Sequence, residues 1–145
     1  MLFSIDMRSP IWLVLSLFVL GAGAQQEAKF VVLSAKLPDG IVTTQGTWSP
    51  IKTDIDKAES SISQIASLKG NYASIQIDHP ERYFRQYVPI RQEGRKLLYV
   101  NAFCEAPSYW HTQLVIVDDG GSCFWQALYD PATDTYSHLT INGRA

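Results

Sequence analysis

The sequence predicts an α+β fold, with one amphipathic helix packed on a mainly antiparallel β-meander of four to five strands. Three observations carry this prediction. One stretch, residues 51–68, repeats apolar residues at helical spacing. The chain beyond Pro80 reads as β-rich runs separated by turn residues. The helical stripe is one-sided, so the helix must cover something flat.

The elements follow in order. "AKFVVLS" (28–34) reads as a short strand, which the turn residues of "LPDG" (37–40) break. "GIVTTQGTW" (40–48) is β-rich but irregular. Ser49 is a good N-cap, and Pro50 suits the first helical position, where a missing N–H costs nothing. Ile51, Ile55, Ala58, Ile62, Ile65 and Leu68 then fall at steps of three and four. Asp54 and Asp56 lie towards the start, where the helix dipole favours negative charge, and Lys69 with Gly70 closes the helix. "NYASIQID" (71–78) reads as a short strand. After His79-Pro80, strands over 83–92 and 96–104 flank a Glu93-Gly94 hairpin turn. A loop with Pro107 leads to a short apolar strand over 113–117. A turn over 118–121, a strand over 122–129, a second turn, "DPATD" (130–134), and a last strand over 135–141 complete the meander.

The N-terminus predicts export. Arg8 precedes the apolar run Ile11 to Leu20, and Ala22-Gly23-Ala24 supplies small residues in the arrangement that signal peptidase reads. The run is ten residues long, whereas a membrane-spanning helix needs about 20, so no span is expected after cleavage. Cleavage after Ala24 makes residues 1–24 a signal peptide and leaves 25–145 as one α+β domain, in the periplasm or outside the cell. The 12 basic and 14 acidic side chains give a net charge of −2, which offers no electrostatic reason to bind nucleic acid. Two cysteines occur, Cys104 and Cys123, and an even pair in an exported chain predicts a disulfide. The bridge would close a loop of about 20 residues and contribute roughly 3 kcal/mol in the chain-entropy model. A bridged sulfur is no nucleophile, which argues against a reactive thiol in "GGSC". "DDGG" (118–121) suits a turn better than a calcium loop, which wants oxygen ligands spread over about a dozen residues.

The strings "YFRQYVPI", "GRKLLYVNAFC" and "VIVDDGGSCFWQALYDPATDTYSHLTINGRA" together resemble a family of small exported bacterial proteins of unassigned function. That family carries a similar R-Q-Y strand, an N-x-F-C strand, a D-G-G-x-C-[YF]-[FW] turn and a terminal N-G-x-A. The match covers roughly residues 83–145. It implies a bacterial envelope or secreted setting, makes the Cys104–Cys123 pair a family trait, and brings no catalytic residue with it. The helix-on-sheet order is also similar to cystatin-like and PepSY-like architectures, a fold-level analogy from which function does not follow. Gln86 to Ile90, "QYVPI", does not match the glycine-bearing loop of cystatin inhibitors.

No catalytic constellation stands out. His79, His111 and His138 are scattered and lack metal-ligand spacing, no serine-nucleophile elbow is present, and no cofactor motif is found. Aromatic side chains crowd the strand half. With Leu139 and Ile141 facing the helix, strand alternation puts Tyr136, His138 and Thr140 on the opposite face, beside Trp125 and Tyr129. Trp125 equally suits the core, next but one to Cys123. The expected binding residues are therefore Tyr109, Trp110 and His111 in the loop, with Tyr136 and His138 on the sheet. The preferred reading is an exported, non-enzymatic binding or inhibitor-like module that contacts an envelope or secreted protein, a peptide or a glycan. A rival is a small hydrolase or isomerase pairing His111 or His138 with Asp118 or Asp119 in a cavity between helix and sheet. A third reading is a structural envelope or stress protein.

Overall fold

The computed structural model describes residues 28–42 and 44–144. The expected signal peptide lies outside the described residues. Five strands, β1 (Phe30–Val32), β2 (Phe84–Gln92), β3 (Arg95–Phe103), β4 (Phe124–Asp130) and β5 (Thr135–Ile141), form one sheet in the order β1-β2-β3-β4-β5. The pairs from β2 to β5 are antiparallel, and β1 joins β2 in parallel. One α-helix, α1 (Lys52–Ser60), packs on one face, so the fold is α+β.

The β2–β3 hairpin has the two-residue loop expected from Glu93-Gly94. Both residues take positive φ, 50° and 75°, which gives a turn that matches the twist of the strands. At the β4–β5 turn the Asp130 carboxylate accepts the Ala132 N–H at 2.9 Å and pairs with Arg95, while Asp134 takes φ 53°. Gly120 and Gly121 also adopt positive φ, as the turn reading of "DDGG" requires.

Three expected elements differ. The helix begins after Ile51, whose N–H is capped by the Asp54 carboxylate at 2.9 Å, and α-helical pairing stops at Ser60. The rest of the stripe, Ile62–Ser67, winds as a 3₁₀ segment that still aims Ile62 and Ile65 at the sheet. Ser60 turns its hydroxyl back onto the Asp56 and Lys57 carbonyls, a local competition that weakens the helix end. Residues 71–78 are irregular rather than a strand, although Ile77 is buried against the helix side of the sheet. Residues 113–117 belong to no ladder, because β3 and β4 pair directly and leave no place between them.

The helix-side core gathers Ile55, Ala58, Ile62 and Ile65 with Tyr87, Val100, Trp125, Tyr129, Tyr136, Leu139 and Ile141. A polar clamp crosses it. Arg85, 4% exposed at its side chain, donates two hydrogen bonds to the Glu59 carboxylate at 2.8 and 2.7 Å, and the Tyr87 hydroxyl donates to the same carboxylate. Tyr136 donates to the Ala58 carbonyl at 2.8 Å. The outer edge of β5 is covered by side-chain amides. Asn71 accepts from Ile141 N–H at 2.7 Å and donates to its carbonyl at 3.0 Å, and Gln64 does the same for Tyr136 N–H and the Asp134 carbonyl.

Candidate functional site

The sheet face away from α1 is not an open aromatic platform. Loop 33–42 buries Leu33 and Leu37 against Val88, Ile90, Leu97, Tyr99 and Leu128, and loop 104–120 buries Trp110 and Val115 against Phe103. Between these two loops lies a groove of about 650 Å³, a size typical of ligand sites. Its floor is Tyr99, Asn101, Gln126, Leu128, His138 and Thr140; residues 40–42 form one wall and residues 114–118 the other.

The floor is built on a row of cross-strand partners. Gln86 faces Asn101, Asn101 faces Gln126, and Gln126 faces Thr140. Polar side chains in the middle of apolar strands need partners when buried, and these find them in the wall above. Gln86 Nε2 donates to the carbonyls of Trp110 and Gln113 at 2.6 and 2.7 Å, and its Oε1 accepts from Val115 N–H at 2.9 Å. Asn101 Nδ2 donates to Gln86 Oε1 at 3.0 Å and to the Val115 carbonyl at 2.7 Å. Asn142, just past β5, donates to the carbonyls of Val117 and Asp119, with Asp119 at 3.0 Å. Gln126 Nε2 reaches Asn101 Oδ1 and Asn142 Oδ1 only at 3.4 and 3.2 Å, and its Oε1 bonds no described residue. The Val115 N–H and the Gln113, Val115 and Val117 carbonyls thus find their partners in side-chain amides rather than in a strand, while the Gln113 N–H donates to the Tyr109 carbonyl.

The disulfide joins Cys104, one residue past β3, to Cys123, one residue before β4, with Cα atoms 5.0 Å apart. It holds both ends of the loop that carries the wall. Cys104 N–H also donates to the Cys123 carbonyl at 3.0 Å.

The five expected binding residues part company here. His138 lines the groove. Tyr136 does not share its face, because the β4–β5 register shifts between Gln126 and Leu128: β5 carries an extra residue, and His138 sits at φ 54°. That bulge reverses the alternation, so Tyr136 joins Leu139 and Ile141 in the helix-side core. Trp125 and Tyr129 lie there too, so the core reading of Trp125 holds. Trp110 is buried, with Phe84 and Phe103 edge-on to it and the His111 ring tilted at 38° with its centroid 4.0 Å away. Tyr109 and His111 are exposed on the loop, outside the groove lining. The groove residues that pattern reading passed over are Tyr99, Asn101, Gln126 and the wall residues 40–42 and 114–117; Thr140 is expected on this face, and Asp118 is named only for the rival His/Asp site. The available signal was an amide third from one end of each of three strands, Gln86, Asn101 and Gln126, of which Gln86 and Asn101 are buried, since a buried polar residue is the informative one.

Chemically the floor carries no carboxylate, lysine or arginine. Burial pushes the Tyr99 phenol upward, so it stays protonated at physiological pH. His138 Nδ1 lies 2.9 Å from the Ser137 hydroxyl, and among the described residues neither His111 nor His138 has a carboxylate within 4.0 Å. Among the described residues no group of three His, Cys, Asp or Glu side chains is placed to hold a metal ion, and no helix is long and apolar enough to cross a membrane. Comparison with protein-family models, with curated proteins and with solved structures gives no match to this chain.

Proposed function

We propose that this protein is an exported binding module and that the groove between loops 33–42 and 104–120 is where it holds its ligand. The observation that carries the reading is the groove itself. It is a cleft of about 650 Å³ with a polar floor that holds no carboxylate, lysine or arginine, and a wall pinned at both ends by a disulfide and along its length by buried amides. Such pre-ordering lowers the entropy cost of binding. The expected aromatic contact surface gives way to a groove with aliphatic rims, Ile41 at 40% exposure and Ile116 at 57%.

Export is part of the proposal. The N-terminal charge, apolar run and small-residue cleavage pattern support it, as does a disulfide, which persists outside the cytoplasm. The resemblance of residues 83–145 to small exported bacterial proteins agrees with it. The test has two arms. N-terminal sequencing of protein recovered from the periplasm or medium should begin at Gln25. Amide chemical-shift mapping with short peptides and with oligosaccharides should move Tyr99, Gln126, His138 and Thr140 together; ligands that shift only the helix side would refute the groove.

A further inference from the structure

The wall of the groove is an unfinished strand. The Gln113, Val115 and Val117 carbonyls, two residues apart, all accept from side-chain amides, which is the alternation of an extended chain, whose successive backbone groups point to opposite sides. On one side Val115 gives its N–H to Gln86 and its carbonyl receives Asn101, while the Val117 carbonyl receives Asn142. On the other side the N–H and carbonyl groups of Leu114 and Ile116 hydrogen-bond to no described residue. These free groups are two residues apart, about 6.6 Å at strand rise. That is the repeat of any extended peptide backbone. Sheet edges of this kind recruit peptides by strand addition.

Charge narrows the occupant. The groove lining contains no Lys or Arg; its charged side chain is Asp118. Asp118 and the neighbouring Asp119 are both exposed, and neither forms an ion pair among the described residues. The rims, Ile41 and Ile116, offer aliphatic contact to every second side chain of an extended partner.

We infer that the groove takes an extended peptide segment of a partner protein, added as a strand along residues 114–117, with apolar residues at alternate positions and a basic residue set against Asp118. This rests on the groove reading above, and the experiment separates the two. An array of synthetic octapeptides with valine, isoleucine or leucine at alternate positions, ending in lysine or in glutamate, is probed with the full mature protein. The tightest binder is then remade with N-methyl groups on alternate backbone nitrogens, which leaves the protein untouched.

Strand addition predicts that lysine-ended peptides bind better than glutamate-ended ones. It predicts that one of the two N-methylation phases weakens binding about fivefold or more for each hydrogen bond removed. It also predicts that the Leu114 and Ile116 amides gain protection from hydrogen exchange, and that Ile116→Pro, which deletes an N–H with no described partner, loses affinity while keeping its melting temperature. Peptides that shift Tyr99 and Gln126 but ignore N-methylation and leave Ile116 exchange unchanged would overturn strand addition and spare the groove. Chitohexaose binding in the groove where peptides fail would overturn the peptide and again spare the groove. If neither probe perturbs Tyr99, Gln126 or His138, both readings fall.

Discussion

Replacing Gln86 with leucine should loosen the groove wall without disturbing the helix side. Gln86 is fully buried, and its amide makes four hydrogen bonds: to the Trp110, Gln113 and Val115 backbone and from Asn101. Leucine fills a similar volume and makes none of them. Gln113 is exposed, so its carbonyl regains water, but Trp110 and Val115 are buried, and a carbonyl and an N–H are stranded there. At about 1–3 kcal/mol for each buried group left unpaired, the cost lies between about 2 and 6 kcal/mol. Added apolar contact offsets part of it, so about 2–4 kcal/mol is expected. With a urea slope of roughly 1–3 kcal/mol/M, the unfolding midpoint should fall by about 1–2 M. Native-state hydrogen exchange locates the damage. The Val115 amide, protected by Gln86 Oε1, should exchange at least tenfold faster, while β3 and β4 amides change only as far as global stability does. Gln86→Glu keeps the shape but turns an acceptor towards two carbonyls, so it should destabilise at least as much. Two variants within 0.5 kcal/mol of the parent, with Val115 exchange unchanged, would refute the claim that side-chain amides hold the wall.

Other consequences follow from the rest of the fold. Glu59→Ala strands the buried Arg85 guanidinium and should cost about 3–5 kcal/mol, whereas adding Arg85→Met should restore much of it; a double-mutant cycle in urea with no coupling would count against the clamp. Burial alone would raise the Asp130 carboxyl, but Arg95 and the Ala132 N–H outweigh it and hold it below the usual 3.8, while Tyr129 and Ser61 hydroxyls hold Asp134 below the same value. Both pKa values are depressed on folding, so their stabilisation is complete above about pH 4 and disappears as the pH falls through the lowered values. Melting temperatures between pH 2 and 5 should therefore drop less steeply for the double variant Asp130→Asn/Asp134→Asn, and an identical slope would contradict this. Removing both Cys104 and Cys123 by alanine substitution should lower stability by roughly 3 kcal/mol in denaturant melts, with an unaltered midpoint as the contrary result. His138→Gly should be neutral or stabilising by up to about 1 kcal/mol, because glycine accepts φ 54° freely; a large loss would mean that the imidazole, not the bulge, sets the geometry.

Much of the fold was legible because its signals were local. Glu93-Gly94 can hardly join two strands except as a two-residue turn, and 135–141 alternates between turn residues, so β2, β3 and β5 fall where the pattern puts them. The helix length was not legible. Ile62 and Ile65, three apart, suit an α-helix and a 3₁₀ turn equally, and Ser60 ahead of them, bonded back onto the Asp56 and Lys57 carbonyls, weakens the α-helical continuation. The facing of Tyr136 failed for a different reason. A one-residue bulge leaves no mark in a hydropathy pattern, yet it inverts every assignment beyond it. Residues 113–117 have the composition of a strand, and sequence pattern does not distinguish partners in a ladder from partners on side chains.

The same device recurs at two places, and the contrast bears on function. Along β5, Asn71 and Gln64 cap the outward backbone groups of Ile141 and Tyr136, closing an edge that would otherwise template aggregation. β1, the other edge, is only three residues long, which is another way natural sheets blunt an edge. In the wall segment, Gln86, Asn101 and Asn142 saturate one side of the chain, but the free side at Leu114 and Ile116 is left beside exposed aliphatic rims. A fold that closes or shortens its sheet edges has no structural need for an extended, rigidly held, half-paired segment over a cleft. The cost of ordering it, through a disulfide and a row of buried amides, makes sense if a second chain completes the pairing.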